Sequence, residues 1–200
     1  MRNTLLWTLG FIVLILLLFV ASFLGSRPLS DEQLRELGYY ELPQSVPLEP
    51  FSLTDHRGRP VGLESLEGRW SLLFFGFTYC PDICPTTLSV LNRAVRQMEQ
   101  DPRVIMVSVD PERDTVDKIA DYVPNFNPDF IGYTGSFDET VNLAEQMNIA
   151  FGKVPGEEPG SYLVEHSAAV VVVDPQARYV GFIKPPHQAE NIVAIMSAIR

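Results

Sequence analysis

The sequence contains few basic residues, few cysteines and histidines, and no internal repeats or low-complexity segments. Its 200 residues include 15 lysines and arginines against 25 acidic residues, and the formal net charge is −10. Binding to the phosphates of nucleic acid requires a basic patch, and the sequence shows none, so we exclude nucleic acid as a partner. Two cysteines and three histidines are the soft side chains that a metal or redox site can use.

An uncharged apolar run occupies the N-terminus from Leu5 to Leu24. As a helix it is about 30 Å long, which matches the hydrocarbon core of a bilayer. A signal peptide usually has only ~7–15 apolar residues, so residues 1–24 are predicted to be a retained membrane anchor, with cleavage after the span as the alternative. The flanking basic residues, Arg2 and Arg27, favour a single-pass protein of the bacterial inner membrane with its soluble domain in the periplasm.

Residues 25–50 contain four prolines and one short helix candidate, and we expect them to form a periplasmic tether. Residues 51–200 are expected to form the folded domain. There, apolar runs alternate with segments of helical periodicity, which predicts an α/β fold with a mixed central sheet and helices on both faces. The predicted elements are a hairpin at 51–63, strands at 70–77, 103–110, 129–135, 168–174 and 178–184, and helices at 88–100, 115–123, 137–147 and the C-terminus.

Both cysteines lie in one short segment, FGFTYCPDICPTTL, where Cys80 and Cys84 are four residues apart and each is followed by proline. If Cys84 lies in the first turn of a helix, this spacing brings both sulfurs to one face, with Cα atoms roughly 6 Å apart. That geometry permits a redox-active disulfide or a two-thiolate metal site. A purely stabilising disulfide is disfavoured, because closing so small a loop removes little chain entropy.

A third ligand for a metal would have to come from the histidines. His56 and His187 are expected to be solvated turn or cap residues, whereas His166 lies at the mouth of a very apolar strand in YLVEHSAAVVVVD. Two thiolates and one neutral imidazole form a set that suits Cu(I). Zinc would need a fourth ligand, for which the candidates are Asp82, Asp110 and Asp114. The residues alone therefore leave two alternatives, a thiol redox protein or a copper site.

Three motifs together resemble the Sco/SenC family of copper chaperones. They are FTYCPDICPTTL, VSVDPERDT at Val107–Thr115 and YLVEHSAAVVVVDP at Tyr162–Pro175, in this order and after a single N-terminal anchor. The resemblance covers roughly residues 51–200. It implies a thioredoxin-like fold for this domain and a role in assembling the copper centre of cytochrome c oxidase.

The resemblance also implies the site residues. The metal ligands of the family fall on Cys80, Cys84 and His166, with copper bound as Cu(I), Cu(II) or both, and the two cysteines double as a redox-active disulfide. Asp110, in DPERDT, is a candidate for tuning the site from behind the ligands, ordering the loop or contacting a partner. Asp114 is expected to cap the helix that begins at Thr115.

The function implied is that of a copper metallochaperone rather than an enzyme, delivering copper to the CuA site on subunit II of cytochrome c oxidase. Other copper chaperones or thiol reductants are the further partners. The main alternative is a thiol-disulfide oxidoreductase that reduces the copper-ligand cysteines of that subunit and has no need of His166. A peroxiredoxin-like peroxidase is disfavoured because no arginine is evident beside Cys80, and a redox or copper sensor is the remaining alternative.

Overall fold

The computed structural model describes residues 10–16, 29–99, 102–156 and 161–199. Residues 10–16 are helical, and the rest of the predicted membrane span, Leu5 to Leu24, lies outside the described residues. Within the described ranges, no helix has both the length and the apolar character needed to cross a membrane. The residues from Asp31 onward belong to one structural unit.

That unit alternates strands and helices along most of its length. The helices are α1 Asp31–Glu36, α2 Ile83–Val95, α3 Val116–Tyr122, α4 Phe137–Gln146 and α5 Ala189–Ile199, with 3-10 turns at Leu63–Leu66 and Val123–Asn125. The strands are β1 Tyr39–Pro47, β2 Leu53–Asp55, β3 Pro60–Val61, β4 Ser71–Gly76, β5 Arg103–Ser108, β6 Ile131–Thr134, β7 Phe151–Pro155, β8 Tyr162–His166, β9 Val170–Val173 and β10 Arg178–Ile183.

The central sheet is mixed, with eight strands in the order β1-β10-β9-β4-β5-β6-β2-β3. Strands β4, β5 and β6 run parallel, and β9 pairs antiparallel with β4. Every residue of β4 and β9 is buried, because the runs SLLFFG and VVVV are almost entirely apolar and suit strands covered on both faces. Helices α2 and α5 pack against each other. The predicted mixed α/β architecture is confirmed.

The predicted tether at residues 25–50 differs from the structure in its second half. Strand β1 pairs antiparallel with β10, and its first residue, Tyr39, is buried. Two prolines in this segment, Pro43 and Pro47, are compatible with a strand because β1 is the outermost strand of the sheet. The pairing register shifts between Glu41 and Val46, where Pro43 lies. The folded unit therefore begins about twenty residues earlier than expected, near residue 31.

Two hairpin turns, β2–β3 and β9–β10, are built in the same way. In each, one aspartate carboxylate accepts two backbone N–H groups at 2.9 Å and the Nε–H of the arginine four residues later at 2.8 Å. The pairs are Asp55 with Arg59, and Asp174 with Arg178. Both carboxylates are buried, and both arginines are exposed enough to meet solvent. Both predicted hairpins are thus confirmed.

Strands β7 and β8 form a second sheet of only two strands, which the sequence analysis did not predict. The hairpin ends at His166, four residues before β9 begins. It is hydrogen-bonded as a ladder within itself, from Phe151 opposite His166 to Pro155 opposite Tyr162. The candidate histidine is therefore carried by a different sheet from the one that leads into the cysteine loop.

Candidate metal centre

The cysteine loop follows directly after β4 and turns into α2. The Cys80 N–H donates to the Phe77 carbonyl at 3.2 Å, which closes a turn before the helix. Cys84 is the second residue of α2 and therefore lies in the first turn of the helix, as considered from the sequence. Its side chain is fully buried. Its N–H donates to Cys80 Sγ at 3.4 Å. Cys80 is only partly buried, and it lies just before the N-terminal end of α2.

The last residue of β4 is a glycine because it lies against the buried sulfur. A Cβ atom added to Gly76 would lie 3.0 Å from Cys84 Sγ and 2.7 Å from the Phe74 ring. Both distances are shorter than ordinary contacts between carbon and its neighbours. The absence of a side chain at position 76 thus determines how closely α2 can approach the end of β4.

His166 directs one ring nitrogen at Cys84. The Nε2 atom lies 3.6 Å from Cys84 Sγ, while Nδ1 lies 2.9 Å from the Val164 carbonyl. A carbonyl only accepts, so Nδ1 carries the hydrogen and the neutral ring presents its Nε2 lone pair to the sulfur. The rings of Phe74 and Phe77 pack edge-on against the imidazole. A hydrogen bond from the second ring nitrogen to a backbone carbonyl, as His166 makes to Val164, fixes the tautomer and the ring orientation and is typical of metal-binding histidines.

Burial sets the protonation of both side chains. Desolvation raises the pKa of the Cys84 thiol well above its usual range, so the thiol is protonated at neutral pH. Burial also lowers the pKa of His166, although its hydrogen bond to the Val164 carbonyl opposes this, so the ring is neutral. A metal that binds Cys84 must therefore displace a proton, whereas His166 is already in its ligating form.

The donor set fits a soft metal better than zinc. In the described part of the chain, no three His, Cys, Asp or Glu side chains are already arranged around a common metal position. The structure does bring Cys84 and His166 together and places Cys80 Sγ on the backbone of Cys84. Of the three aspartates considered as a fourth ligand, Asp110 and Asp114 are buried and hydrogen-bonded to other groups. Thiolates and imidazole without carboxylate favour copper over zinc.

The Asp110 side chain is buried, and its carboxylate is hydrogen-bonded to protein groups. Its carboxylate accepts from the Tyr162 hydroxyl at 3.0 Å and forms an ion pair with Arg113. Tyr162 is the first residue of β8, the strand that ends at His166. Asp110 therefore connects the loop after β5 to the histidine hairpin.

Asp114 does not cap α3, contrary to the expectation from sequence. Thr115 is the capping residue, since its hydroxyl accepts from the Lys118 N–H at 3.3 Å. The Asp114 carboxylate is fully buried and accepts from the Thr78 N–H at 3.0 Å, the Thr78 hydroxyl at 2.6 Å and the Ser108 hydroxyl at 2.7 Å. Asp114 therefore holds the cysteine loop two residues before Cys80, a role that depends on tertiary contact.

The other two histidines are less exposed than predicted. His56 is only 8% exposed, and its Nδ1 accepts from the Gly132 N–H at 3.2 Å. His187 is half-buried, and its Nε2–H donates to the Ala168 carbonyl at 2.8 Å. The expectation of solvated residues was wrong for His56, because its turn packs against β6. Each ring makes one hydrogen bond to the backbone of a neighbouring segment, while Nδ1 of His187 is buried without a partner.

An arginine that the sequence analysis overlooked lies beside the cysteine loop. The guanidinium carbon of Arg113 is 4.9 Å from the centre of the Tyr79 ring. Its Nε–H and Nη1–H donate to the Asp110 carboxylate and, at 3.1 Å, to the Tyr162 carbonyl, whereas its Nη2 atom is buried without a hydrogen-bond partner. An arginine near Cys80 was the feature missing for a peroxidase, but two of the three nitrogens of this one are bound to its own neighbours.

Comparison with known proteins agrees with the motifs and the fold. Residues 42–199 match the protein family described as SCO1/SenC. A bovine relative, the mitochondrial protein SCO2 homolog, is 39% identical over 147 residues, which is 71% of this chain and 55% of that protein. The chain thus spans little more than half the length of the first mitochondrial relatives it matches.

Solved structures are similar over most of the chain. The crystal structure of Arabidopsis thaliana ScoI with copper bound has a TM-score of 0.71 and 37% identity, covering 76% of this chain and 97% of the other. A structure of BsSco, described as a member of the Sco family of cytochrome c oxidase assembly proteins with a disulfide switch, has a TM-score of 0.62 and 27% identity, covering 78% and 94%. By the extent of the family match and the identity to its relatives, this chain is a member of the SCO1/SenC family.

Proposed function

We propose that this chain is a copper metallochaperone that binds one copper ion through Cys80, Cys84 and His166. It would deliver the ion to the CuA site on subunit II of cytochrome c oxidase during assembly. Similarity to copper-bound ScoI and to an oxidase assembly protein supports this proposal. The observation that carries it is the neutral imidazole whose Nε2 lone pair lies 3.6 Å from Cys84 Sγ while Nδ1–H is fixed on a backbone carbonyl.

The three ligands have different access to a partner. Cys84 is fully buried at the base of the site, whereas Cys80 lies on the exposed side between exposed Tyr79 and Ile83. An incoming thiolate from a target protein would therefore meet the copper from the Cys80 side and replace that ligand first. Because each step exchanges one ligand for another, copper passes between proteins without becoming a free ion.

The cysteines are positioned on what we propose to be a thioredoxin-like domain. The parallel unit β4–α2–β5 is followed later in the chain by the antiparallel pair β9–β10 and by α5, and both cysteines lie at the N-terminal end of α2. This arrangement supports redox chemistry at the same two sulfurs. In the periplasm the pair must be reduced before copper binds.

We further propose that Leu5–Leu24 anchors the domain in the bacterial inner membrane and that the tether ends near residue 30. The length and apolar character of the run support this, and the earlier start of the folded unit shortens the tether. An anchored domain on a short tether suits delivery to a partner in the same membrane.

The second candidate function is reduction of disulfides in the oxidase subunit. The two free thiols, with the Cys84 N–H on Cys80 Sγ, support it, as does the disulfide switch of BsSco. In this reaction the Cys80 thiolate attacks the target disulfide and one target sulfur leaves as thiolate. Cys84 then gives its thiol proton to the departing target thiolate and attacks Cys80, which breaks the mixed disulfide and releases the second target sulfur as thiolate. This chain ends with a Cys80–Cys84 disulfide, and the two electrons it has lost are those that the target has gained.

A Cu(I) competition titration of the full chain, reduced and anaerobic, tests the proposal. We expect one copper per chain, with affinity lost in the Cys80→Ser, Cys84→Ser double variant. His166→Ala should weaken binding at least about a hundredfold, at the upper end of the ~10–100-fold typical of changes to outer contacts of a metal ligand. His187→Gln, which changes a histidine outside the set, is the matched control. An unchanged affinity in His166→Ala would refute the three-ligand site and favour the disulfide reductase.

A further inference from the structure

The proposed ligands lie on two pieces of the fold that do not share a sheet. Cys80 and Cys84 follow β4 of the central sheet, whereas His166 ends the separate hairpin β7–β8. The distance between His166 Nε2 and Cys84 Sγ therefore depends on side-chain contacts that join the hairpin to the cysteine loop. The segment 110–114, between β5 and α3, makes such contacts with both.

Arg113 binds the first residue of β8 in three ways. Its Nη1–H donates to the Tyr162 carbonyl at 3.1 Å, and its guanidinium carbon lies 3.8 Å from the centre of the Tyr162 ring. Its Nε–H donates to the Asp110 carboxylate, which also accepts from the Tyr162 hydroxyl at 3.0 Å. The Asp110 side chain is fully buried and that of Arg113 is 25% exposed, so solvent screens this ion pair only partly.

Arg113 also contacts the cysteine loop. Its guanidinium carbon lies 4.9 Å from the Tyr79 ring and 5.8 Å from the Phe77 ring, distances at which a cation attracts an aromatic face. Phe77 in turn packs edge-on against the His166 ring, with the ring centres 5.6 Å apart. One side chain thus lies against residues on both sides of the site.

The neighbouring lysines do not duplicate these contacts. Lys118 lies 5.8 Å from the Tyr79 ring, and Lys153 lies 4.6 Å from the Tyr162 ring while pairing with Glu112 at 2.6 Å. Lys153 lies on β7, so its pair with Glu112 joins the hairpin to the segment 110–114 but does not reach the cysteine loop, and Lys118 contacts the ring of Tyr79 in that loop. Only a planar guanidinium can stack on a ring and donate in two fixed directions at once.

We infer that Arg113 is a positioning residue that holds the β7–β8 hairpin against the cysteine loop and so fixes His166 over Cys84. This inference rests on the proposed copper site for its functional meaning, but its structural part concerns the protein without metal. It assigns to DPERDT a purpose beyond Asp110, namely to connect the ligand-bearing pieces.

The test compares Arg113→Gln and Arg113→Lys with Arg178→Gln in the full chain. Arg178 is a matched control because it also pairs with a buried aspartate, Asp174, but in the β9–β10 turn. Residue Val173, just before Asp174, pairs with Ser71 at the start of β4, whereas the cysteine loop follows the end of β4. The control therefore removes the same kind of ion pair at the opposite end of the strands from the cysteine loop.

The first measurement is amide hydrogen exchange of the reduced, metal-free protein. In Arg113→Gln we expect the amides of β7 and β8 to exchange at least about tenfold faster, while β4 and β5 keep their protection. Arg113→Lys retains a charge beside Asp110 but replaces the planar guanidinium, whose two nitrogens donate in different directions, by a single nitrogen, so it should also loosen the hairpin. If Arg113→Gln also speeds exchange in β4 and β5, the result for Arg113→Lys is the deciding one. Exchange of the β7 and β8 amides at the wild-type rate in Arg113→Lys would then overturn the inference.

The second measurement is Cu(I) affinity in a double-mutant cycle with His166→Ala. We expect Arg113→Gln to weaken binding about 10–100-fold in the wild-type background and by less than about twofold when His166 is absent. Hairpin exchange and affinity both equal to those of Arg178→Gln would overturn the inference and leave the copper site intact. If Arg113→Gln loosens the hairpin but His166→Ala leaves the Cu(I) affinity unchanged, the proposed ligand set is refuted. The role of Arg113 in positioning the hairpin is then still supported.

Discussion

Replacement of Gly76 by alanine should destabilise the fold and the metal centre together. The added methyl group would lie 2.7 Å from the Phe74 ring and 3.0 Å from Cys84 Sγ. Both neighbours are fully buried, so neither can move into solvent. Forcing an extra carbon into a filled core costs about 1–3 kcal/mol. We therefore expect Gly76→Ala to lower the free energy of unfolding by about 2 kcal/mol.

The matched control is Gly152→Ala in β7. A Cβ atom at Gly152 has no neighbour within 4 Å, so this variant should stay within about 0.5 kcal/mol of wild type. Urea unfolding of both variants, followed by circular dichroism, measures the difference. Because relief of the contact must displace Cys84 Sγ from His166, Gly76→Ala should also bind Cu(I) about tenfold more weakly. Equal stability of the two alanine variants would refute the packing argument.

Three further predictions concern polar contacts. Asp114→Ala leaves the Thr78 N–H and two hydroxyls without their acceptor, and thermal unfolding should show a loss of about 3–5 kcal/mol; a loss below about 1 kcal/mol would contradict the assigned contacts. Burial of Asp55 would raise its pKa, but hydrogen bonds from the Arg59 and Arg57 backbone and the Arg59 side chain lower it below 3.8. The contribution of the Asp55 carboxylate to stability is therefore complete above the unfolded-state pKa and is lost as the pH falls through the folded-state pKa. Urea midpoints at about pH 6 and about pH 3 should differ less in Asp55→Asn than in wild type. Ser136→Ala removes the hydroxyl that caps α4 and should cost about 1 kcal/mol by urea unfolding, whereas no change would show that the cap is replaced.

Local patterns were sufficient to predict the inner strands and the cysteine geometry. The runs that became β4 and β9 have no extended polar face, and only a buried strand accommodates them. The four-residue spacing predicted that Cys80 and Cys84 meet at the start of a helix; they do so, although Cys80 precedes α2 and its Sγ accepts from the Cys84 N–H. These inferences needed no knowledge of distant residues.

Contacts between distant segments account for what the sequence did not reveal. Prolines at 43 and 47 led to the prediction of a tether. They are tolerated in β1 because an edge strand can lack N–H donors on its outer side, but which strand lies at the edge is known only once the sheet is assembled. Asp114 had the spacing of a helix cap, but its acceptors are used by Thr78, 36 residues away. Arg113 meets Tyr162 across 49 residues, so no short motif contains both partners.

The two outer strands of the central sheet share a property that bears on how the protein behaves at high local concentration. β1 carries Pro43 and Pro47 with a shifted register, and β3 is two residues long and begins with Pro60. Neither edge offers another chain a continuous row of N–H donors, so strand-to-strand aggregation between copies is discouraged. At high local concentration, two copies that meet edge to edge therefore cannot form a continuous backbone ladder between their central sheets.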